Sequence, residues 1–158
     1  MGFDLKPEIK QALNDIGFVK KYEEISSKYN SKKVKLEDRL IYLDIDTVID
    51  MIEDLGYSVS IDKKEKFLKI EEEIEERLTF GVYIIIKGGT TELTWVVKRD
   101  GELRLGDPWS IYSRLLIDPK YIIRLPAFRD YDELEGILKV SFEMYEEFKA
   151  ILIKEYLG

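Results

Sequence analysis

The chain has no cysteine and no histidine among its 158 residues. The absence of cysteine excludes disulfide bonds and thiol nucleophiles, and the absence of both excludes the usual zinc sites and histidine general bases. Long apolar runs are also missing, since no window approaches the roughly 20 apolar residues that span a bilayer. The first residues carry charges throughout, unlike a secretory signal. We therefore expect a cytoplasmic protein that does not bind membranes.

The residues that are present indicate one folded domain. Apolar residues make up 45% of the chain and aromatic residues 12%, which is the composition of a globular rather than a disordered protein. A chain of this length buries a core without metals or disulfides. Since no internal repeat, low-complexity tract or linker interrupts it, we predict a single domain over residues 1–158.

Negative charge is concentrated in one segment. Residues 44–78 hold twelve Asp or Glu and five Lys or Arg, a net charge of −7, which equals the net charge of the whole chain. An acidic body repels phosphate backbones, so we expect no nucleic-acid partner. The same charge favours a basic protein partner and speeds encounter with one.

Helical periodicity is clearest in three places. Residues 7–29 predict a helix that is interrupted near Gly17, and residues 46–55 predict a helix that ends before Gly56. The third is a long C-terminal helix, which Asp130 begins in a capping pattern and which continues as far as Tyr156. A further short helix is predicted to begin at Pro108, with Asp107 as its cap, and to stop before Asp118.

Turn dipeptides predict an antiparallel sheet. Glycine pairs and Asp-Gly accept the positive φ angles of tight hairpins, and two such turns separate three strand-like runs. These runs are 82–87, 92–99 and 102–105, and the first has the apolar pattern of an inner strand. Two weaker strands are predicted at 57–61 and 121–125. The expected fold is α+β: a three- to five-stranded antiparallel meander packed by N-terminal helices and the long C-terminal helix.

Residues 63–78 fit two structures. Phe67, Ile70, Ile74 and Leu78 form a helical stripe, and the Lys and Glu between them are strong helix formers. A strand that pairs with 57–61 would instead place Glu72 on the apolar face. We favour the helix, and the strand remains the alternative.

The stretch "LIYLDIDTVI" places Asp44 and Asp46 two residues apart after an apolar run. It resembles motif I of the haloacid-dehalogenase-like phosphotransferases. That resemblance implies that Asp44 is a nucleophile, that Asp46 is an acid/base and that Mg²⁺ binds between carboxylate and phosphate. The family requires a parallel sheet, whereas the hairpin turns here predict antiparallel pairing. We therefore favour the alternative, in which both carboxylates stabilise the start of the helix at 46–55.

We assign a candidate partner-binding surface to the carboxylates of segment 44–78 and to two tryptophans near the sheet. The glutamate run also fits a solvated surface, and the tryptophans also fit core packing. No cofactor or metal ligand set is predicted. The candidate residues are Asp44, Asp46, Asp50, Glu53, Asp54, Glu72, Glu75, Glu76, Trp95 and Trp109.

The stretches "GGTTELTWVVKRDGELRLGDPW" and "RDYDELEGILKVSFEMYEEFK" resemble small acidic immunity proteins of bacterial polymorphic toxin systems. The resemblance lies in size, acidity, the α+β meander and the long terminal helix. It implies a non-enzymatic protein that binds and neutralises a basic toxin domain. The alternatives are a small-molecule-binding or regulatory domain that uses the aromatic residues around the sheet and, more remotely, an aspartate-dependent phosphatase.

Overall fold

The computed structural model describes residues 4–64 and 67–158. Within these residues the protein has five α-helices and one five-stranded sheet, so the predicted α+β class is confirmed. The helices are α1 (Pro7–Asp15), α2 (Phe18–Lys28), α3 (Ile45–Asp54), α4 (Trp109–Leu116) and α5 (Tyr131–Leu157). The strands are β1 (Ser60–Asp62), β2 (Phe67–Glu75), β3 (Leu78–Lys87), β4 (Thr90–Arg99) and β5 (Glu102–Leu105). None of the described helices is long and apolar enough to cross a membrane.

The sheet is a simple antiparallel meander. Its spatial order follows the chain, β1-β2-β3-β4-β5, so the predicted inner strand β3 lies at its centre. The β3–β4 hairpin turns at Gly88 and Gly89, with φ angles of 60° and 71°. The β4–β5 hairpin turns at Asp100 and Gly101, with φ angles of 53° and 79°. These positive angles explain why Gly-Gly and Asp-Gly predicted the hairpins.

One face of the sheet is buried under the helices. Phe80 and Val82 of β3 lie beside Val97 and Trp95 of β4, and all four side chains are fully buried. Residues of the opposite parity, such as Tyr83, point to the other face, which we call the outer face. An antiparallel sheet commonly packs one face and solvates the other.

Helix α5 lies at the centre of the helical layer. Its Phe148 stacks on Trp95 of the sheet, with ring centroids 4.6 Å apart. On one side, Phe142 of α5 stacks on Tyr57, just after α3, at 4.4 Å. Helices α1 and α2 contact α5 as well. The N-terminal helices and the long C-terminal helix therefore share the inner face of the sheet, as predicted.

Two secondary-structure predictions are wrong. Residues 67–75 form strand β2 instead of a helix, because the Glu72 that counted against the strand is bonded by side chains of α5. Residues 121–125, all described, form no strand. Pro126 follows them and has no N–H to donate to a ladder, so pairing with β4 is limited to an isolated bridge at Ala127. The strand predicted at 57–61 is shorter and later, at Ser60–Asp62.

Candidate protein-binding surface

The start of α3 explains the Asp-x-Asp stretch. Asp44 is the N-cap residue: its Oδ1 accepts a hydrogen bond from the Asp46 N–H at 3.1 Å, and its Oδ2 accepts one from the Thr47 hydroxyl at 3.1 Å. Asp46 lies in the first turn, where the helix dipole favours a carboxylate. These contacts agree with the helix-start interpretation of both aspartates.

The surroundings of Asp44 differ from a phosphotransferase site. Residues 40–43, which the structure describes, form no strand, and the sheet is antiparallel. Among the described residues, no three carboxylates come together in a way that could hold a metal ion. The Asp44 carboxylate faces the amides of its own helix, where it stabilises α3.

Helix α3 buries one face and exposes carboxylates on the other. Val48 and Ile52 are fully buried, whereas the acidic side chains are exposed. No Lys or Arg occurs between residues 40 and 62, so no neighbour in the sequence offsets this charge. The exposed carboxylates of the helix and its last turn are Asp46, Asp50, Glu53 and Asp54.

Helix α5 adds carboxylates to the same surface. The Asp44 N–H donates to the Tyr131 hydroxyl at the start of α5, and the Tyr57 hydroxyl after α3 donates to Glu146 further along it. The two helices therefore run side by side. The exposed side of α5 next to α3 carries Asp132, Glu135 and Glu146, with Lys139 among them. We call the acidic face the set Asp46, Asp50, Glu53, Asp54, Asp132, Glu135 and Glu146.

Glu146 is ionised and held in place at one border of the acidic face. Its Oε2 accepts hydrogen bonds from Tyr57 and, at 2.8 Å, from the Lys149 ammonium. Partial burial raises the pKa of Glu146, but the hydrogen bonds from Lys149 and Tyr57 outweigh it, so the pKa lies below its ordinary value. Burial and the hydrogen bond to Glu146 raise the pKa of Tyr57, which stays neutral and donates.

The glutamates of β2 do not form one surface with α3. Glu72 points to the inner face and is bonded by Tyr145 and Lys149 of α5. Glu75 and Glu76 are exposed where β2 turns into β3. Glu71 pairs with Lys69 at 2.8 Å on the outer face. The run that looks continuous in the sequence is therefore divided between two faces and a hairpin end.

The two tryptophans lie in the core, so the expectation that they line a partner surface is wrong. Trp95 is 0% exposed and Trp109 is 2% exposed, and their rings meet edge to face at 5.2 Å. Phe18 of α2 packs edge to face on Trp109 at the same distance. The Tyr112 hydroxyl of α4 accepts from the backbone N–H of Trp95 at 3.1 Å. The large indole rings fill the space between the sheet and helices α2, α4 and α5, where they bury most apolar area.

An exposed aromatic residue occurs elsewhere. Tyr42 is 92% exposed and stands two residues before the α3 cap, between the half-exposed Ile41 and Leu43. Sequence reasoning missed it because an apolar run before a helix reads as a strand. The usable signal was the tyrosine itself, since a phenol combines an apolar ring with a polar end and suits a protein contact.

Comparison with protein-family models, with curated proteins and with solved structures gives no match to this chain.

Proposed function

We propose that this chain is a non-enzymatic protein-binding domain that binds a basic protein partner through the acidic face. The observation that carries the proposal is the packing of α3, a helix without a single Lys or Arg, beside the acidic side of α5. The packing joins carboxylates from two distant parts of the chain into one surface. A surface with an excess of negative charge attracts a basic partner and orients it on approach.

The partner class we propose is a toxin domain whose working surface is basic. A toxin that acts on nucleic acid needs Lys and Arg side chains to hold phosphates. An acidic helix layer is complementary to such a surface and would occupy it in place of the nucleic acid. This role would be that of an immunity protein, and the acidic, two-layer α+β domain is in keeping with it.

The small-molecule alternative, which placed a ligand among the aromatic residues around the sheet, is disfavoured by their packing. Trp95, Trp109 and Phe18 contact one another in the core, with centroid distances between 5.2 and 5.8 Å. Rings in mutual contact leave their faces to each other rather than to a ligand.

The test is affinity capture from an extract of the source cells at low and at high salt. We expect a basic polypeptide to be retained at low salt and released at high salt, since screening shortens the reach of exposed charges. Co-expression of the captured polypeptide then tests its toxicity. It should arrest growth when expressed alone and permit growth when this chain is present.

A matched pair of charge reversals locates the surface. Asp50→Lys with Glu53→Lys alters the acidic face, whereas Glu71→Lys with Glu73→Lys makes the same charge change on the outer face of the sheet. Only the first pair should abolish capture. Equal loss with both pairs would show that net charge alone matters, and no loss with the first pair would remove the acidic face from the contact.

A further inference from the structure

An apolar groove opens beside the N-terminus of α3. It has a volume of about 430 Å³ and lies between the segment that leads into α3 and the inner face of β1, β2 and β3. Ile41 and Ile45 form one rim and Ile61 forms the other. Leu68 and Ile84 lie below them and are almost fully buried. Only Asp62 and Lys63 are polar among the residues that line it.

The rim residues expose part of their apolar side chains. Ile41, Ile45 and Ile61 are 40%, 39% and 40% exposed, and Tyr42 projects beside them. These side chains come from two segments that meet only in the folded chain. A contiguous apolar patch at the edge of a charged surface is typical of a protein contact, whereas scattered apolar residues are not.

The composition of the groove favours side chains of a protein over a small ligand. Pockets for small ligands combine apolar walls with several converging polar groups that fix orientation. Here the walls are aliphatic apart from Phe67, and the two polar residues are neighbours in the sequence at one end. Such a groove suits one or two aliphatic or aromatic side chains of an otherwise anchored partner.

The charges around the groove indicate what flanks those side chains. Ile45, on the rim, stands between Asp44 and Asp46, and α3 continues from it into the acidic face. Asp62 and Lys63 lie together at one end of the groove, and Lys63 is the single cation among the lining residues. The groove is therefore continuous with a surface that attracts Lys and Arg.

We propose that the groove receives the aliphatic or aromatic side chains of a Lys- or Arg-rich segment of the partner. This inference rests on the proposed function and extends it, because it adds an apolar anchor to the charged contact. The partner segment would place its apolar residues between Ile45 and Ile61 and its cations over Asp46 and Asp50. Burial of the apolar anchor supplies affinity that salt does not screen.

Three synthetic peptides of equal length test the proposal. One alternates Lys with Leu, the second has Ser in place of Leu, and the third has Glu in place of Lys. Their dissociation constants are measured by calorimetry, and the contact is located by the methyl NMR signals of isoleucine. We expect the Lys-Leu peptide to bind at least about tenfold more tightly than the Lys-Ser peptide and to shift Ile45 and Ile61.

Substitutions in the protein complete the test. Ile61→Asn should reduce the affinity for the Lys-Leu peptide to that for the Lys-Ser peptide. Ile85→Asn is the matched control: Ile85 is 45% exposed on the outer face of the same sheet, and its loss should change nothing. If Ile61→Asn unfolds the protein, Ile41→Asn, in the segment before α3, replaces it.

The failures are distinguishable. Equal affinities for the Lys-Leu and Lys-Ser peptides, both lost with Asp50→Lys and Glu53→Lys, would overturn the groove and leave the acidic face intact. Tight binding of the Glu-Leu peptide would overturn the requirement for a basic segment. A dimer of the protein alone that Ile61→Asn dissociates would assign the groove to a second copy and overturn the proposal.

Discussion

The hydroxyl of Tyr145 donates a 2.6 Å hydrogen bond to the carboxylate of Glu72, which points from β2 into the apolar interface with α5. The Lys149 ammonium donates to the same oxygen at 2.9 Å and lies 4.9 Å from the centre of the Tyr145 ring. Burial, together with the hydrogen bond to Glu72, raises the pKa of Tyr145. Burial lowers the pKa of Lys149, but its hydrogen bonds to Glu146 and Glu72 outweigh it, so the pKa is raised. A neutral donor and a cation therefore compensate the carboxylate.

Removal of two members of this group should cost less than the sum of the two single removals. We expect Lys149→Met to reduce the free energy of unfolding by about 1–3 kcal/mol, because it leaves Glu72 partly buried without its cation. Glu72→Leu combined with Lys149→Met should cost less than the sum of the single changes, with a coupling of about 0.5–3 kcal/mol. Urea denaturation of the four proteins measures this, and additive losses would contradict the coupling.

Glu72 also shows why strand β2 could not be predicted from the sequence, although the hairpins could. The hairpins were predictable because turn chemistry is local: Gly88-Gly89 and Asp100-Gly101 need only their own φ angles. The strand β2 was not, because the partners that make Glu72 tolerable, Tyr145 and Lys149, lie more than 70 residues further along the chain. A charged residue on the apolar face of a predicted strand argues against that strand unless the side chains that bond it are known.

The candidate surface, like the sheet, was predictable only where it depends on local sequence. The carboxylates of α3 are contiguous in the sequence, so a count of charges finds them. Glu135 and Glu146 of α5 join them only through packing, and no local pattern distinguishes them from other exposed residues of that helix. Trp95 was misplaced for a related reason, since a large ring beside a sheet suits core and surface equally until the helices that cover it are placed.

Acid should weaken the contact that joins α1 to β5. Arg104 donates two hydrogen bonds to the Glu8 carboxylate, at 2.7 and 2.9 Å, and the Tyr156 hydroxyl donates a third at 2.7 Å. Burial raises the pKa of Glu8, but the bonds from Tyr156 and Arg104 outweigh it, so the pKa lies below its ordinary 4.5. A lowered carboxyl pKa contributes stability above about pH 4.5, and that contribution is lost as the pH falls through the folded-state pKa.

Glu8→Gln should therefore flatten the acid limb of the stability curve. We expect the variant to be less stable than the wild type at neutral pH and to approach it below pH 4.5. The stability of the variant will still depend on acid to some degree. Hydrogen bonds from Arg129 lower the pKa of Glu133, and they outweigh the partial burial that raises it. Free energies of unfolding from urea titrations at several pH values measure the effect. Parallel curves for the two proteins would show that Glu8 does not contribute to the acid dependence.

The cap of α3 gives a prediction that separates charge from hydrogen bonding. Asp44→Ala removes the acceptors for the Asp46 N–H and the Thr47 hydroxyl, so it should cost about 1 kcal/mol. Asp44→Asn keeps an acceptor at Oδ1 and should reduce stability by only about 0.3 kcal/mol, because Asn and Asp cap almost equally well. Thermal unfolding measures both. Equal losses would mean that the charge of Asp44 stabilises α3 through the helix dipole instead.

The effect of Gly136→Ala on the free energy of unfolding should depend on the Tyr29 hydroxyl: destabilising when the hydroxyl is present and stabilising when it is absent. A Cβ at this position of α5 would lie 2.3 Å from the hydroxyl oxygen of Tyr29 and 3.4 Å from the ring carbon that bears it. Glycine in a helix interior costs about 1 kcal/mol relative to alanine, but in the wild type the clash with a buried phenol opposes that gain. We expect Gly136→Ala to destabilise the wild type.

A Tyr29→Phe background removes the hydroxyl. The nearest atom to the new Cβ is then the ring carbon, at an ordinary contact distance, so Gly136→Ala should stabilise this variant by about 1 kcal/mol. Urea denaturation of the four proteins decides it, and a stabilised wild-type Gly136→Ala would show that Tyr29 moves aside at little cost.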